Sequence, residues 1–529
     1  MPIDPTSIGV EIGVVLSRSS SSLAPILLRR DVEVNVREED LAIIVDETLK
    51  GYYMFGVIRW ITRHEPFLRQ GAHNIYVEYP EALTRDLVMP FSNAYIEIYG
   101  AFCDERELCG GQGFTANTYA PHPSSRVYKV RDAEVFTKYL AVKTPIHVGN
   151  HKYTGWRLPL DPYWLPYHVG VFGATGTGKS RLVAGLVTTA AKRGYSFIIF
   201  DHTGVDYAPA ASRENIPVVP ASRIKIPVIV LGQLLSELMG VSGNLRDYVE
   251  AAVICHDMLV SGKASTVEDC LRSLITPVEK EARTAKGKPK SLVGYVEKEQ
   301  HKNRPTWSKR DFIETLINVT SRLGGRDTTI IKLKFLAENY IPDYVLTRME
   351  NRTISPTEII ELAKREGIVV VDLSSEQEIE VKRSIVSIIA REGWKRIFEA
   401  DGQYAGLQLG IVVDEAQNYA CEYCGMAGKE LETIAREGRK WGYFLVVASQ
   451  RIARDIRPGI RSNLGTVFFS RLQATGDLQE LSGYLDLGRL SESSLAMLAS
   501  REFFIAGLMN PLRRPILLRI DEIKGLKRP

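Results

Sequence analysis

The chain has 529 residues and a formal net charge of +4, with 45% hydrophobic and 25% charged residues. That is enough length for roughly two or three domains with substantial cores, and the composition is that of a folded globular protein rather than a disordered one. No apolar run approaches the roughly 18 residues that span a bilayer, and Met1-Pro2-Ile3-Asp4 has neither the basic end nor the apolar core of a secretory leader, so a cytosolic location is expected. The small net charge neither demands nor excludes nucleic acid, because a local basic channel matters more than the total.

Residues 1–115 carry short β-branched runs at 12–16, 32–36, 42–45, 53–58 and 94–98, separated by polar breaks. That spacing predicts a small β-barrel or sandwich. Residues 17–22, rich in serine, read as a turn. Residues 116–150 read as a connector, marked by Pro121, Pro123, Ser124 and Ser125.

From residue 168 the rhythm changes to strands alternating with helices. Near-continuous apolar runs fall at 169–172, 197–200, 368–371, 411–413, 444–447 and 467–469, as parallel strands covered on both faces require. Several end in a polar residue: Asp201, Asp372, Asp414 and Ser449. Open α/β sheets place ligands at that edge. The rhythm predicts an α/β core in two parts, 151–232 and 346–529 with a carboxyl-terminal segment. A helical insertion at 233–345 separates them, with helices at 234–259, 267–275 and 309–322. Residues 280–310 are polar and basic, and read either as a solvated loop or as a DNA-facing segment.

The six cysteines are sparse. Cys421 and Cys424 form one CxxC, and Cys103 lies near Cys109. With no second CxxC, unpaired thiols or a local disulfide are expected ahead of zinc.

One motif carries chemistry by itself. Gly173-Ala174-Thr175-Gly176-Thr177-Gly178-Lys179-Ser180 fits G-x4-G-K-[ST] between a strand and a helix. Its glycines let backbone N–H groups converge on phosphate, and the helix amino terminus behind adds its positive end. Lys179 is expected to reach the β- and γ-phosphates of ATP, Ser180 to ligate Mg²⁺, and Arg181 to flank the nucleotide. Downstream, Asp414 and Glu415 end an apolar strand. Asp414 is expected to hold Mg²⁺ and Glu415 to polarise the attacking water. Asp201 either caps its turn or faces the active-site edge. Gln450 is expected at the γ-phosphate. Arg439 is either a solvated helix-end cation or an arginine finger for a neighbouring subunit, with Arg436, Arg451 and Arg461 as alternatives.

Together these residues resemble the HerA family of hexameric DNA translocases. The closest likeness lies in His168–Ser180 and in Arg436-Glu437-Gly438-Arg439-Lys440-Trp441-Gly442 followed by Ala448-Ser449-Gln450-Arg451. Two stretches depart from the family pattern. Asp201-His202-Thr203-Gly204-Val205-Asp206-Tyr207 stands where Asp-Pro-His-Gly-Glu-Tyr is usual, and Gln417 stands where a His is usual. The resemblance implies a RecA-like P-loop core, an amino-terminal β-barrel and a helical insertion. It implies a homo-hexamer with ATP and Mg²⁺ at subunit interfaces, where Lys179, Ser180, Asp414, Glu415 and Gln450 act in cis and Arg439 in trans. Double-stranded DNA in the pore and a NurA-like nuclease are the implied partners. A DNA pump docked on a membrane protein and a non-motor ATP-binding switch stand as alternatives.

Overall fold

The computed structural model describes residues 3–64, 78–79, 91–104, 113–282, 305–399, 407–452, 455–472, 476–523 and 525–528. The amino-terminal sheet contains β1 (Gly9–Val15), β2 (Leu23–Leu28), β3 (Leu41–Val45), β4 (Tyr52–His64), β5 (Phe91–Cys103), β6 (Phe114–Thr115) and β7 (Arg126–Val130). Its order is β2-β1-β7-β3-β4-β5-β6, and β2 also pairs with β5, so six antiparallel strands close a barrel and β6 extends it. Closure leaves those six strands without a free edge. Ile12, Ile26, Ile44, Met54 and Ile96 fill the interior. Two readings change here. The stretch read as a connector supplies β7, which sits between β1 and β3. Residues 32–36 form no strand: Glu33–Asn35 is a single 3-10 turn and Val34 is 68% exposed, because no partner strand lies beside it.

The second sheet contains β8 (Gly149–His151), β9 (Val169–Phe172), β10 (Ser196–Asp201), β11 (Val218–Pro220), β12 (Ile368–Asp372), β13 (Leu409–Val413), β14 (Tyr443–Ser449), β15 (Thr466–Phe469), β16 (Glu502–Gly507) and β17 (Ile516–Ile520). They run in the order β11-β12-β10-β13-β14-β9-β15-β16-β17-β8. From β11 to β15 every pairing is parallel. This is the RecA-like core, with alternating side chains sent to two opposite hydrophobic layers. Ile198 and Phe200 join one layer, Phe197 and Ile199 the other. The sheet is not parallel throughout, since β16, β17 and β8 add antiparallel. β16 and β17 are joined by a short return, and a parallel pairing would need a long crossover instead.

The insertion between β11 and β12 is helical, with Val228–Leu238, Asn244–Val260, Val267–Ala282, Lys309–Arg322, Asp327–Tyr340 and Pro356–Glu366 as its longer elements. The helix read over 234–259 is broken, because Gly240 and Gly243 take φ of +63° and +57°. Ser308 caps one helix by accepting from the Asp311 N–H at 3.1 Å. Ser355 and Glu358 form a reciprocal capping box at another. Most of the basic stretch 280–310 lies outside the described residues. Cys255 pairs with Cys270 and Cys421 with Cys424 in disulfides, so neither CxxC sulfur is a zinc ligand; Cys103 is also disulfide-bonded. Among the described residues no helix is long and apolar enough to cross a membrane.

Candidate nucleotide site

The carboxyl ends of β9, β10, β13 and β14 share one edge, because these strands are parallel and β9 pairs directly with β14. The phosphate loop leaves β9 there. Gly176 and Gly178 have φ of +79° and +101°, a backbone conformation that favours glycine. At Gly173 a Cβ would come 2.8 Å from Thr177 Oγ1. Helix Lys179–Ala191 follows and buries its apolar side in the core.

The loop is held from three directions. Gly173 N–H donates to the Ser449 carbonyl at 3.3 Å, and Ala174 N–H to the Arg471 carbonyl at 2.7 Å. Arg501 N–H donates to the Thr177 carbonyl at 2.8 Å, and Ser500 Oγ to the Gly176 carbonyl at 3.0 Å. Lys179 is 8% exposed, and its Nζ donates to the Gly173 carbonyl at 2.8 Å. Burial lowers its pKa, while Glu415, Asp414 and Asp206 pull it back up. Thr175 and Arg181 are exposed, and Ser180 is half-buried.

Asp414 is buried at the end of β13, and burial first, then Asp206 and Glu415, push its carboxyl up to about 7. Glu415 adopts φ 47° and ψ 50°, which is uncommon for a residue with a side chain and is a form of strain found at working sites. The bend aims Glu415 at two amides. Gln417 Nε2 donates to Glu415 Oε2. Gln450 Nε2 reaches the same oxygen at 3.4 Å, while its Oε1 accepts from Thr175 Oγ1 at 3.3 Å. Ser449 Oγ donates to Gln417 Oε1 at 3.0 Å. Gln450 therefore bridges the acid and the phosphate loop, and Gln417 ties that acid to β14.

Asp201 lies at the same edge, but its carboxylate is engaged by its own loop. Its oxygens accept from the N–H groups of Gly204, Tyr207 and Ala208 at 3.0, 2.9 and 3.0 Å. Of its two expected roles, this geometry is turn capping. Arg439 is not brought to the loop. It precedes β14, is exposed, and stacks on the Tyr167 ring with 4.9 Å to the centroid. Seven strand residues at roughly 3.3 Å each separate it from Gln450, so it lies on the order of 20 Å from its own chain's loop. Arg436 pairs with Glu432 and Arg461 with Glu480, while Arg451 is exposed beside Gln450.

Five residues near the loop had no role in the sequence reading: Arg471, Ser500, Arg501, Asp206 and Tyr207. The first three come from distant carboxyl-terminal turns that no local pattern flags. The other two lie in the departing stretch 201–207, and that departure was their signal.

The donor set suits a magnesium nucleotide. Asp414, Glu415 and Asp206 crowd one lysine, so a divalent cation relieves a real excess of negative charge. Among the described residues no three His, Cys, Asp or Glu side chains form a metal cage of their own. Magnesium in nucleotide sites is held by one or two protein oxygens, phosphate and water.

Fold and site together define an ATP-hydrolysing P-loop enzyme. Residues 146–393 match the family described as the HerA helicase central domain. A DNA double-strand break repair helicase HerA from Sulfolobus acidocaldarius is 23% identical over 513 residues, covering 92% of this chain and 91% of that protein. The HerA from Saccharolobus solfataricus is 22% identical over 518 residues, covering 97% and 93%. Among solved structures, VirB4 of Thermoanaerobacter pseudethanolicus superposes with a TM-score of 0.49 at 14% identity, over 73% of this chain and 98% of that one. The chain is thus similar to HerA helicases, over residues 146–393 in the central-domain family and over more than nine-tenths of its length in these two relatives.

Proposed function

We propose that this chain is an ATP-driven double-stranded DNA translocase that works as a hexameric ring beside a nuclease in DNA end resection. Similarity to two DNA double-strand break repair helicases over more than nine-tenths of the chain supports the DNA part of this reading. The observation that carries the motor is the position of Gln450, which touches both Glu415 and Thr175. A residue bonded to the water-polarising acid and to the phosphate loop senses whether a γ-phosphate lies between them.

In this reading the loop N–H groups and Lys179 bind the phosphates, and Lys179 exchanges its carbonyl partners for phosphate oxygens. Ser180 and Asp414 would hold Mg²⁺, which would neutralise charge on the phosphates. Glu415 orients water toward the γ-phosphorus, held in place by Gln417. Loss of the phosphate frees Gln450, and that change passes along β14 to Arg439 at its other end. Arg439 is too far from its own nucleotide to act on it, so it serves the adjoining subunit.

ATP turnover measured with and without linear duplex DNA tests the whole. The expected result is stimulation by DNA that is absent in Lys179→Ala. Equal rates with and without DNA count against a translocase. Mixing Arg439→Ala chains with Lys179→Ala chains tests the trans role: some interfaces then lack both defects and turnover partly recovers. Activity no better than either variant alone excludes Arg439 in trans.

A further inference from the structure

Tyr207 ends the loop that Asp201 organises, and its N–H donates to Asp201 Oδ2 at 2.9 Å. The side chain is 1% exposed, yet its hydroxyl has no hydrogen-bond partner among the described residues. An unpartnered buried hydroxyl costs on the order of 1–3 kcal/mol, and a phenylalanine would fill the same space without it. The hydroxyl lies toward the Ser180 side chain, within the field of Asp414, Asp206 and Asp201. Ser180 and Asp414 come from two different segments, and Tyr207 arrives from a third.

A hydroxyl placed among carboxylates is suited to a small polar guest that donates hydrogen bonds. A phenol both donates and accepts, so it can give its own proton to an anionic oxygen while its lone pair takes a hydrogen bond from a water on a cation. Magnesium keeps several of its waters when it binds a nucleotide site. The residues around Tyr207 are those assigned above to the metal.

We propose that Tyr207 is a positioning residue for magnesium, its hydroxyl and the Asp414 carboxylate together accepting hydrogen bonds from a water on the ion that Ser180 ligates. This rests on Ser180 and Asp414 being the metal residues. No bond is made or broken at Tyr207. The hydroxyl supplies one fixed acceptor and thereby sets how tightly the ion is held, while the ring packs the loop against the core.

Tyr207→Phe in the full chain separates the two parts of the side chain. Without nucleotide its Tm is expected to equal or exceed the parent's, since only an unpartnered hydroxyl is removed. The Mg²⁺ concentration giving half of the ADP-induced rise in Tm should increase by about three- to tenfold, the worth of one hydrogen bond. ADP binding in EDTA should be unchanged. An unaltered Mg²⁺ midpoint with an unaltered Tm overturns the proposal and leaves Tyr207 as packing alone. Asp414→Asn is the control. If it too keeps the parent Mg²⁺ midpoint, the metal assignment itself fails, and the proposal with it.

Discussion

The barrel and the ATPase core each bury a cluster of charge, and the two clusters are built differently. In the barrel, Arg59 pairs with Glu39, reaches Glu97 at 3.2 Å and donates to the Tyr99 hydroxyl at 2.9 Å. Glu97 also meets Arg514 at 3.3 Å, so two cations face two carboxylates. Burial opposes the Arg59 charge, but Tyr99, Glu39 and Glu97 outweigh it and hold its ionisation above the ordinary range. In the core, Lys179 faces Asp414, Glu415 and Asp206, and the result is a carboxyl pushed up to about 7. The first cluster is complete and joins barrel to core through Arg514. The second is unbalanced until a cation arrives. Buried charge alone does not mark a reactive site; an unbalanced charge count does.

The comparison breaks most visibly in turnover. Lys179→Ala should lower kcat by about 100-fold or more, and Glu415→Gln by about 100- to 10,000-fold, the range for a positioned general base, with folding intact. Phosphate release and a thermal melt measured on one preparation check both halves. Arg59→Met should do the reverse. It strands Glu39 and Glu97 and costs about 3–5 kcal/mol of stability, while turnover per folded molecule holds. Urea titration measures it, and an unchanged midpoint would show that the network is not a closed unit.

Acid tests the ATPase core by itself. Burial holds His151 and His168 down to about 4, against 6.5 for an ordinary histidine. Their neutral forms favour the folded state above 6.5, and that stability is lost as pH falls from 6.5 toward 4. At pH 5 the loss is about 2 kcal/mol for each. Asp414 works in the opposite sense without metal, because its raised pKa gains stability as pH falls below about 7. Saturating Mg²⁺-ADP should remove the Asp414 contribution and steepen the acid loss, which unfolding at pH 7 and pH 5 with and without ligand will show. The smallest effect is expected at Asp201→Asn. Loss of carboxylate capping should cost about 1–2 kcal/mol of stability but leave KM for ATP within about threefold. A larger rise in KM would move Asp201 from capping to nucleotide contact.

Much of this was legible in the residues. The phosphate loop, the strand-end pair and the switch to doubly covered strands depend on local pattern, and β9, β10, β12, β13 and β14 follow it. The insertion helices were legible where capping was strong, as at Ser308. Three features were not. Val32–Val36 has the composition of a strand, but a strand needs a partner, and the chain turns there instead. β7 is short and sits after prolines, so only the closed barrel reveals it. Arg471, Ser500 and Arg501 reach the site through tertiary contacts, and those leave no spacing to read. Gln417 sits between these cases. Its departure from the family pattern was visible, yet its bonds to Glu415 and Ser449 were not.

The grip on the phosphate loop from Arg471, Ser500 and Arg501 has a consequence for synthesis. A chain made from its amino terminus exposes Gly173–Ser180 long before those residues exist, and it cannot seat β9 between two neighbours until β14 and β15 have emerged. A partly made chain therefore lacks a formed phosphate cradle. ATP capture becomes a property of the finished sheet, so an unfinished chain does not consume ATP.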